Sequence, residues 1–271
     1  MQKRINHFEI VEHLNAGGTA VIYKGVDMHN GQPVAIKELN PAFFANPMML
    51  QNFRKEANRY LELDHPNIVR LKDFILLSNT GYLVMEYIGG KNLREYVKEI
   101  SGPMPLSNVS LFMMETMAAL GFAHDQDIVH LDIKPSNIML SDESEIKLID
   151  FGISSEGKKN AGAEIMGSPY YMSPEQINGD DIDYRTDIYS IGITIYELLT
   201  GTLPFEGNVS REELFELIRT EPIPTYVSPN QIDQQHEHEV NRILQKSTAK
   251  HPEDRYQSCE EFTIDLLQFL N

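Results

Sequence analysis

A short stretch in the middle of the chain carries an unusual density of reactive side chains. Between two apolar ends it places His130, Asp132, Lys134 and Asn137 close together. Unpaired charges are costly inside a protein core, so this stretch is unsuited to a buried strand. A catalytic loop is the better interpretation, because reactive groups concentrate on loops that a rigid scaffold positions. The chemistry of this loop depends on the partners that the rest of the chain supplies.

Further motifs flank this loop in a fixed order. They are the small-residue turn from Asn15 to Ala20, the strand end Val34-Ala35-Ile36-Lys37, Glu56, Asp150-Phe151-Gly152 and Ser173-Pro174-Glu175. With the loop, which reads as H-R-D-L-x-x-x-N with Leu131 in place of Arg, they resemble the eukaryotic-type protein kinase family. The resemblance runs from about Phe8 to the C-terminus. The Lys-Pro pair at Lys134 is typical of the Ser/Thr branch, and the segment from Gly167 to Gln176 is similar to its bacterial members.

The resemblance implies a role in phosphoryl transfer for each charged side chain. Asp132 would accept the proton of the substrate hydroxyl, and Lys134 would offset charge on the γ-phosphate of ATP. Lys37 would hold the α- and β-phosphates, with Glu56 as its carboxylate partner. We therefore expect an ATP-dependent kinase that phosphorylates serine or threonine hydroxyls of proteins, its own chain included.

The same resemblance implies the nucleotide and metal contacts. Asn137 and Asp150 would bind Mg²⁺, which prefers hard oxygen ligands. Met85 would stand beside the adenine pocket, and backbone groups of Glu86 and Ile88 would bond the adenine edge. The remaining ATP contacts would come from Leu14, Asn15, Gly17, Gly18, Ala20, Ile22, Ala35 and Met139. The implied cofactors are ATP and Mg²⁺.

Two departures from the family pattern bear on activity. In the glycine loop, Asn15 and Ala20 replace the first and third glycines, so we expect a working but looser phosphate cover. Leu131 replaces an arginine that in most relatives pairs with a phosphate on the activation loop. The loop from Ser154 to Met166 also contains no threonine. We therefore hypothesise that the active conformation does not require activation-loop phosphorylation.

Two other functions stay open. A pseudokinase scaffold, which binds nucleotide without turnover, is favoured by these departures, although every charged catalytic position is intact. An enzyme that phosphorylates small molecules on the same fold is the second alternative. It would not need Ser168, which by resemblance hydrogen-bonds Asp132 and Lys134, or the substrate platform at Ser173-Pro174-Glu175.

The fold class that follows is α+β. We expect a two-lobed protein kinase fold, with a small antiparallel-sheet N-lobe plus one helix and a larger, mainly helical C-lobe. The kinase domain would cover residues 8–271, with the N-lobe at about 8–87, the C-lobe at about 88–271 and ATP between them. Alternating apolar residues from Phe8 predict the first strand. Ser107 is expected to cap the first long helix of the C-lobe.

Two further clusters of charge have simpler interpretations. The resemblance pairs Glu175 with Arg255 in a buried ion pair that holds the substrate platform, and breaking it would cost about 3–5 kcal/mol. The cluster from His236 to Glu239 reads as a solvated helix start. A metal site is the weaker interpretation because it would need more convergent ligands.

Composition restricts the partners and the compartment. The formal net charge of -17 and a pI near 4.9 argue against nucleic acid and anionic membranes as partners. The single cysteine, Cys259, excludes an internal disulfide and favours a reducing interior. No secretory signal opens the sequence, and the apolar run from Ile188 to Leu199 is too short to span a bilayer. We expect a cytoplasmic protein, and leave open a homodimer and a membrane anchor beyond Asn271.

Overall fold

The chain folds into two units of different secondary structure. The computed structural model describes residues 3–16, 20–41, 47–77, 80–151, 169–207, 209–229 and 234–270. The first unit, Met1–Gly89, is mostly sheet, and the second unit, Gly90–Asn271, is mostly helix. Their content agrees with the α+β class that the sequence predicts.

The first unit is built on one antiparallel sheet. Its strands are β1 (Arg4–Ile5), β2 (Phe8–Ala16), β3 (Ala20–Asp27), β4 (Pro33–Leu39), β5 (Leu71–Leu77) and β6 (Thr80–Glu86). They are hydrogen-bonded in the order β1-β2-β3-β4-β6-β5. The helix α1 (Pro47–Leu61) follows β4 and packs against β5. The predicted strand from Phe8 is confirmed.

Strand alternation gives this sheet two chemically different faces. On one face Val34, Ile36 and Val84 belong to a buried apolar cluster. Successive side chains along a strand point to opposite faces, so Lys37 lies on the face away from this cluster. The sequence V-A-I-K therefore buries its branched residues and leaves its lysine outside that core.

The N-terminal segment closes the apolar face of the sheet. Ile5 on β1 is 2% exposed and joins the apolar cluster. Lys3 Nζ donates to the two carboxylate oxygens of Glu38 at 2.8 and 3.0 Å. The hydroxyls of Tyr23 and Tyr82 donate to the same carboxylate at 3.0 and 2.9 Å. Burial acts to raise the pKa of Glu38, but these donors outweigh it and hold the pKa below its ordinary value.

The second unit combines a small antiparallel sheet with helices. Its strands are β7 (Gly90–Asn92), β8 (Ile138–Ser141) and β9 (Ile146–Leu148), paired in that order. Its helices are α2 (Leu93–Tyr96), α3 (Leu106–His124), α4 (Pro174–Asn178), α5 (Arg185–Thr200), α6 (Arg211–Thr220), α7 (Glu237–Ser247) and α8 (Cys259–Leu267). The core lies where α3 packs against α5 and α8, and where α5 packs against α7.

The helix α3 is long and apolar enough to cross a membrane by length and composition. Its residues Val109, Met113 and Met117 are buried, and it packs against α5, α8 and β9. We therefore interpret α3 as a core helix of the second unit. The predicted cap at Ser107 was wrong, because α3 begins at Leu106 without a side-chain cap. The carbonyl of Pro105 accepts the first helical N–H groups, so Ser107 already lies inside the first turn.

Candidate active site

Asp187, in the first turn of α5, anchors the backbone of the predicted catalytic loop. Its buried carboxylate accepts the N–H groups of His130 and Leu131, each at 2.8 Å. The Nε2 atom of His124 lies 2.9 Å from the same carboxylate. Burial acts to raise the pKa of Asp187, but these partners outweigh it and lower the pKa. The backbone of the predicted catalytic loop is therefore held by hydrogen bonds to a buried carboxylate.

Two hydrogen bonds fix both the ring of His130 and its tautomer. Nδ1 accepts the backbone N–H of Asp132 at 3.3 Å. Nε2 must therefore carry the proton, which it donates to the carbonyl of Ile149 at 2.9 Å. Burial lowers the pKa of His130 and keeps the ring neutral. The ring of Phe151 packs against it, with centroids 4.7 Å apart.

The carboxylate of Asp132 is restrained on one oxygen. Its Oδ2 accepts Lys134 Nζ at 2.8 Å and Asn137 Nδ2 at 3.1 Å. The same amide nitrogen donates to the Asp132 carbonyl at 2.8 Å. The side chain of Asp132 is nevertheless 34% exposed. The structure therefore brings three predicted residues together and leaves the side chain of Asp132 partly exposed.

The hairpin of β8 and β9 brings two oxygen-bearing side chains to one end. Ile138 pairs with Leu148, and the carbonyl of Asn137 accepts the N–H of Ile149 at 2.9 Å. Asp150 follows directly, with a left-handed backbone at φ +62°. The Nδ2 atom of Asn137 donates to Asp132. The amide oxygen of Asn137 is therefore the atom of this side chain that could bind a cation.

Leu131 is held through its backbone. It has a left-handed conformation at φ +65°, and its carbonyl accepts Nε2 of Gln176 at 3.3 Å. Gln176 lies in the first turn of α4, where it also forms a capping box with Ser173. Sequence reasoning missed this contact, because Leu131 and Gln176 belong to separate motifs and no local pattern joins them.

In the first unit, predicted nucleotide contacts share one face of the sheet. Ile22 lies opposite Lys37 on the neighbouring strand, and Ala35 lies opposite Met85. Directly opposed residues point to the same face of a sheet. Since Tyr23 packs on the apolar cluster, these four residues line the other face. A nucleotide that contacts all four of these side chains would have to bind on the face of the sheet that they share.

The other predicted nucleotide residues are distributed over both units. Glu86 donates its N–H to the carbonyl of Arg70 at 2.9 Å, so only its carbonyl could bond adenine. Leu14 and Asn15 end β2, Ala20 begins β3, Ile88 follows β6, Glu56 lies on α1 and Met139 lies on β8. Gly17, Gly18, Ser168 and the loop from Ser154 to Met166 lie outside the described residues. The pairing of Lys37 with Glu56 stays a prediction.

A buried ion pair holds the segment that the sequence predicts to be the substrate platform. Arg255 Nη1 and Nη2 donate to the two oxygens of Glu175 at 2.7 and 2.8 Å. Thr186 Oγ1 donates to the same carboxylate at 2.7 Å. Burial acts to raise the pKa of Glu175, but these donors hold it below its ordinary value. The pair predicted between Glu175 and Arg255 is present.

A second polar network, which the sequence did not predict, lies beside the catalytic loop. Tyr171 donates to Glu197 and accepts a hydrogen bond from Arg94. Burial raises the pKa of Glu197. Arg94 and Glu197 also line a cavity of about 400 Å³ that reaches Lys98 and Pro135. No motif marks this network, because its members are distant in sequence and individually unremarkable.

Comparison with known proteins agrees with this geometry. The sequence model of the family described as "Protein kinase domain" matches residues 8–265. The chain belongs to the protein kinase family. This confirms the predicted resemblance and the two-lobed α+β fold class.

Two curated bacterial proteins are similar to this kinase-family chain. It is 35% identical over 98% of its length to a probable serine/threonine-protein kinase of Clostridium acetobutylicum. It is 34% identical over 97% of its length to the serine/threonine-protein kinase PknB of Mycobacterium leprae. The chain spans 40% and 43% of the lengths of these two relatives.

A solved structure supports the kinase fold over nearly the whole chain. The crystal structure of the Mycobacterium tuberculosis PknI kinase domain superposes with a TM-score of 0.77 at 23% identity. The match covers 99% of this chain and 98% of the PknI kinase domain. At this identity the likeness concerns the fold alone.

Proposed function

We propose that this chain is a serine/threonine protein kinase that transfers the γ-phosphate of ATP to protein hydroxyls. The observation that carries the proposal is the environment of Asp132. Its carboxylate is oriented by Lys134 and Asn137 yet is 34% exposed. A general base must be both oriented and within reach of the proton that it accepts. The names of the curated bacterial relatives support the same activity.

The transfer would depend on positioning and charge compensation. Because Oδ2 of Asp132 already accepts two donors, Oδ1 would accept the hydrogen bond and then the proton of the attacking hydroxyl. Lys134 would neutralise part of the charge on the transferred phosphoryl group. His130, held neutral, keeps the backbone of Asp132 in place.

The residues of the second unit fit a magnesium ion. The amide oxygen of Asn137 and the carboxylate of Asp150 are hard donors at one end of the hairpin of β8 and β9. Two protein ligands are sufficient, because Mg²⁺ retains water and binds substrate phosphates as its other ligands. When bound, it would neutralise phosphate charge. Within the described ranges, no group of three His, Cys, Asp or Glu side chains offers another metal site.

The residues of the first unit fit the nucleotide. Ile22, Ala35 and Met85 would contact the adenine ring from the face of the sheet that they share. Lys37, on the same face, would bind the phosphates, and Glu56 would pair with it. The carbonyl of Glu86 and the backbone of Ile88 would bond the adenine edge.

Leu131 supports independence from activation-loop phosphorylation. The loop backbone is held by Asp187 and by Gln176, and neither contact requires a phosphate-binding arginine. Phosphatase treatment, checked by intact mass, should therefore leave the rate on a peptide substrate unchanged. A large loss of rate would contradict this proposal. The Leu131→Arg variant is the matched comparison, because only that chain could form a pair with loop phosphate.

We further propose protein substrates, autophosphorylation and a cytoplasmic location, without nucleic acid or membrane partners in this stretch. The ordered platform at Glu175 favours protein over small-molecule acceptors, because a small acceptor would not need it. The intact charge set at Asp132, Lys134 and Asp150 favours turnover over a pseudokinase scaffold. Size-exclusion chromatography with light scattering would decide whether the chain forms a homodimer.

The decisive experiment is intact-mass analysis after incubation with Mg-ATP and a generic basic protein, beside Asp132→Ala. Added phosphate on either protein, abolished in the variant and by chelation of Mg²⁺, is the expected result. Binding of ATP without any transfer would support the scaffold instead. The net charge of -17 favours basic targets, and equal rates on acidic and basic peptides would contradict that preference.

A further inference from the structure

Gln176 joins the substrate platform to the catalytic loop through both ends of its side chain. Its Oε1 accepts the backbone N–H of Ser173 at 2.9 Å, and its Nε2 donates to the carbonyl of Leu131 at 3.3 Å. A backbone N–H can only donate, so the first contact fixes which end of the amide is oxygen. The nitrogen is therefore the end that faces Leu131.

The peptide that Gln176 holds is the one that leads into Asp132. The carbonyl of Leu131 and the N–H of Asp132 belong to the same planar peptide group. Gln176 bonds its oxygen, and Nδ1 of His130 accepts its N–H at 3.3 Å. The plane is thus held at both ends. Such restraint is needed because Leu131 has φ +65°, a conformation that is costly for a residue with a Cβ.

We propose that Gln176 is a positioning residue for phosphotransfer, which fixes the peptide before Asp132 and thereby directs its carboxylate. In this chain, a neutral amide on α4 holds the catalytic-loop backbone at Leu131, the position where the family pattern has an arginine. The inference rests on the proposed role of Asp132 in proton transfer. It adds a residue that touches neither substrate nor nucleotide.

A plain helix cap is the alternative role for Gln176, and one substitution separates the two. In Gln176→Glu, a carboxylate still accepts the N–H of Ser173, because glutamate suits this position of a capping box. It has no N–H to donate to Leu131. The cap is kept and the contact to the loop is lost. We expect the melting temperature to be unchanged or higher, while kcat falls about tenfold, equivalent to about 1.4 kcal/mol.

The kinetic constants should divide in a specific way. KM for ATP should remain unchanged in Gln176→Glu, since the residue does not contact the nucleotide. The loss should appear in kcat, because the orientation of the base matters in the transition state. An equal kcat for Gln176→Glu and the unmodified chain would overturn the inference.

The capping box of α6 provides the matched control. Ser210 donates its N–H to Glu213 at 2.7 Å, in the same arrangement as Ser173 with Gln176. Gln176→Ala and Glu213→Ala both remove the third-residue half of a capping box. Only the first should lower kcat, whereas both should lower the melting temperature slightly. Equal losses of kcat in Gln176→Ala and Glu213→Ala would show that Gln176 acts only as a helix cap.

Amide hydrogen exchange gives a readout that does not require turnover. Both Gln176 variants should show faster exchange in the peptide that spans residues 130–137, and Glu213→Ala should not. Unchanged exchange in both would overturn the inference even in an active enzyme. If the unmodified chain transfers no phosphate, the proposed function fails, and the exchange result still decides whether Gln176 holds the loop.

Discussion

Two ion pairs in the second unit have almost the same length and opposite surroundings. Lys134 lies 2.8 Å from Asp132, and Arg255 lies 2.7 Å from Glu175. The side chains of the first pair are 16% and 34% exposed, and those of the second are 0% and 7% exposed. Distance alone therefore does not distinguish the pair that we propose for phosphoryl transfer from the pair that is buried in the fold.

The difference lies in how completely each pair is satisfied. Beyond its bonds to Glu175, Arg255 donates to the carbonyls of Ala249, Arg185 and Lys250, so all its N–H groups are used. Asp132 instead accepts Lys134 and Asn137 on Oδ2 while its side chain stays 34% exposed. A buried pair whose hydrogen bonds are all made is held rigidly, whereas the partly exposed pair can still be reached by solvent, as the proposed role of Asp132 requires.

The largest effect on stability should follow removal of the buried cation. Arg255→Met leaves Glu175 as an unpaired buried charge, and the free energy of unfolding should fall by about 3–5 kcal/mol. Denaturant titration would measure this loss. Arg255→Lys should recover little of it, because an ammonium cannot reproduce the planar fork. Recovery to the stability of the unmodified chain would show that charge alone matters.

Removal of the cation from the partly exposed pair of Lys134 and Asp132 should affect the rate of phosphoryl transfer rather than stability. Lys134→Met removes the cation beside Asp132, whose carboxylate can be solvated by water, so the melting temperature should hardly change. The transfer rate should fall about 10²–10³-fold, as when one charge-stabilising donor is lost from a transition state. Steady-state kinetics beside thermal unfolding tests both parts. If Lys134→Met destabilised the protein as much as Arg255→Met does, the two pairs would not differ in their contribution to stability.

Lys250, which lies beside the buried pair of Arg255 and Glu175, should make the stability of the protein depend on pH. Burial lowers the pKa of Lys250 to about 8, assisted by Arg255 and opposed by Glu221. Between pH 8 and 10 the unfolded chain therefore binds more protons at Lys250 than the folded chain does. Stability should rise with pH across this window. Chemical denaturation at several pH values should show that the free energy of unfolding of Lys250→Met depends less on pH in this window. If the dependence on pH were unchanged in the variant, another group would be its cause.

The smallest effect should come from a buried hydroxyl. Among the described residues the hydroxyl of Tyr189 has no hydrogen-bond partner, while its ring packs on the guanidinium of Arg255 at 5.1 Å. Tyr189→Phe should therefore leave stability unchanged or raise it by up to about 1 kcal/mol. Tyr256→Phe is the control, because its hydroxyl donates to Asp265 at 2.7 Å and its loss should destabilise. Thermal unfolding of both variants would test the contrast.

The sequence predicted what short motifs encode. Asp132, Lys134 and Asn137 lie within one loop, so their proximity follows from spacing, and the alternating pattern from Phe8 correctly predicted the strand β2. The anchoring of that loop by Asp187 was not predicted. That contact depends on packing between elements far apart in the chain, which no local pattern reports.

The errors and omissions have the same origin. A hydroxyl before an apolar run indicated a cap at Ser107, but the backbone of Pro105 already supplied the first helical acceptor. The contact of Gln176 with Leu131, like the network around Tyr171, uses side chains whose types are common on any surface. Their partners are specified by tertiary structure alone.

The N-terminal strand β1 bears on where this domain should be said to start. The match to the family model begins at residue 8, yet Ile5 is buried and Lys3 is bound by Glu38 between two tyrosines. A chain shortened to the family boundary would expose apolar surface and leave the Glu38 carboxylate without its cation. A boundary set at the first residue of the family model would therefore separate residues that contact one another in the folded first unit.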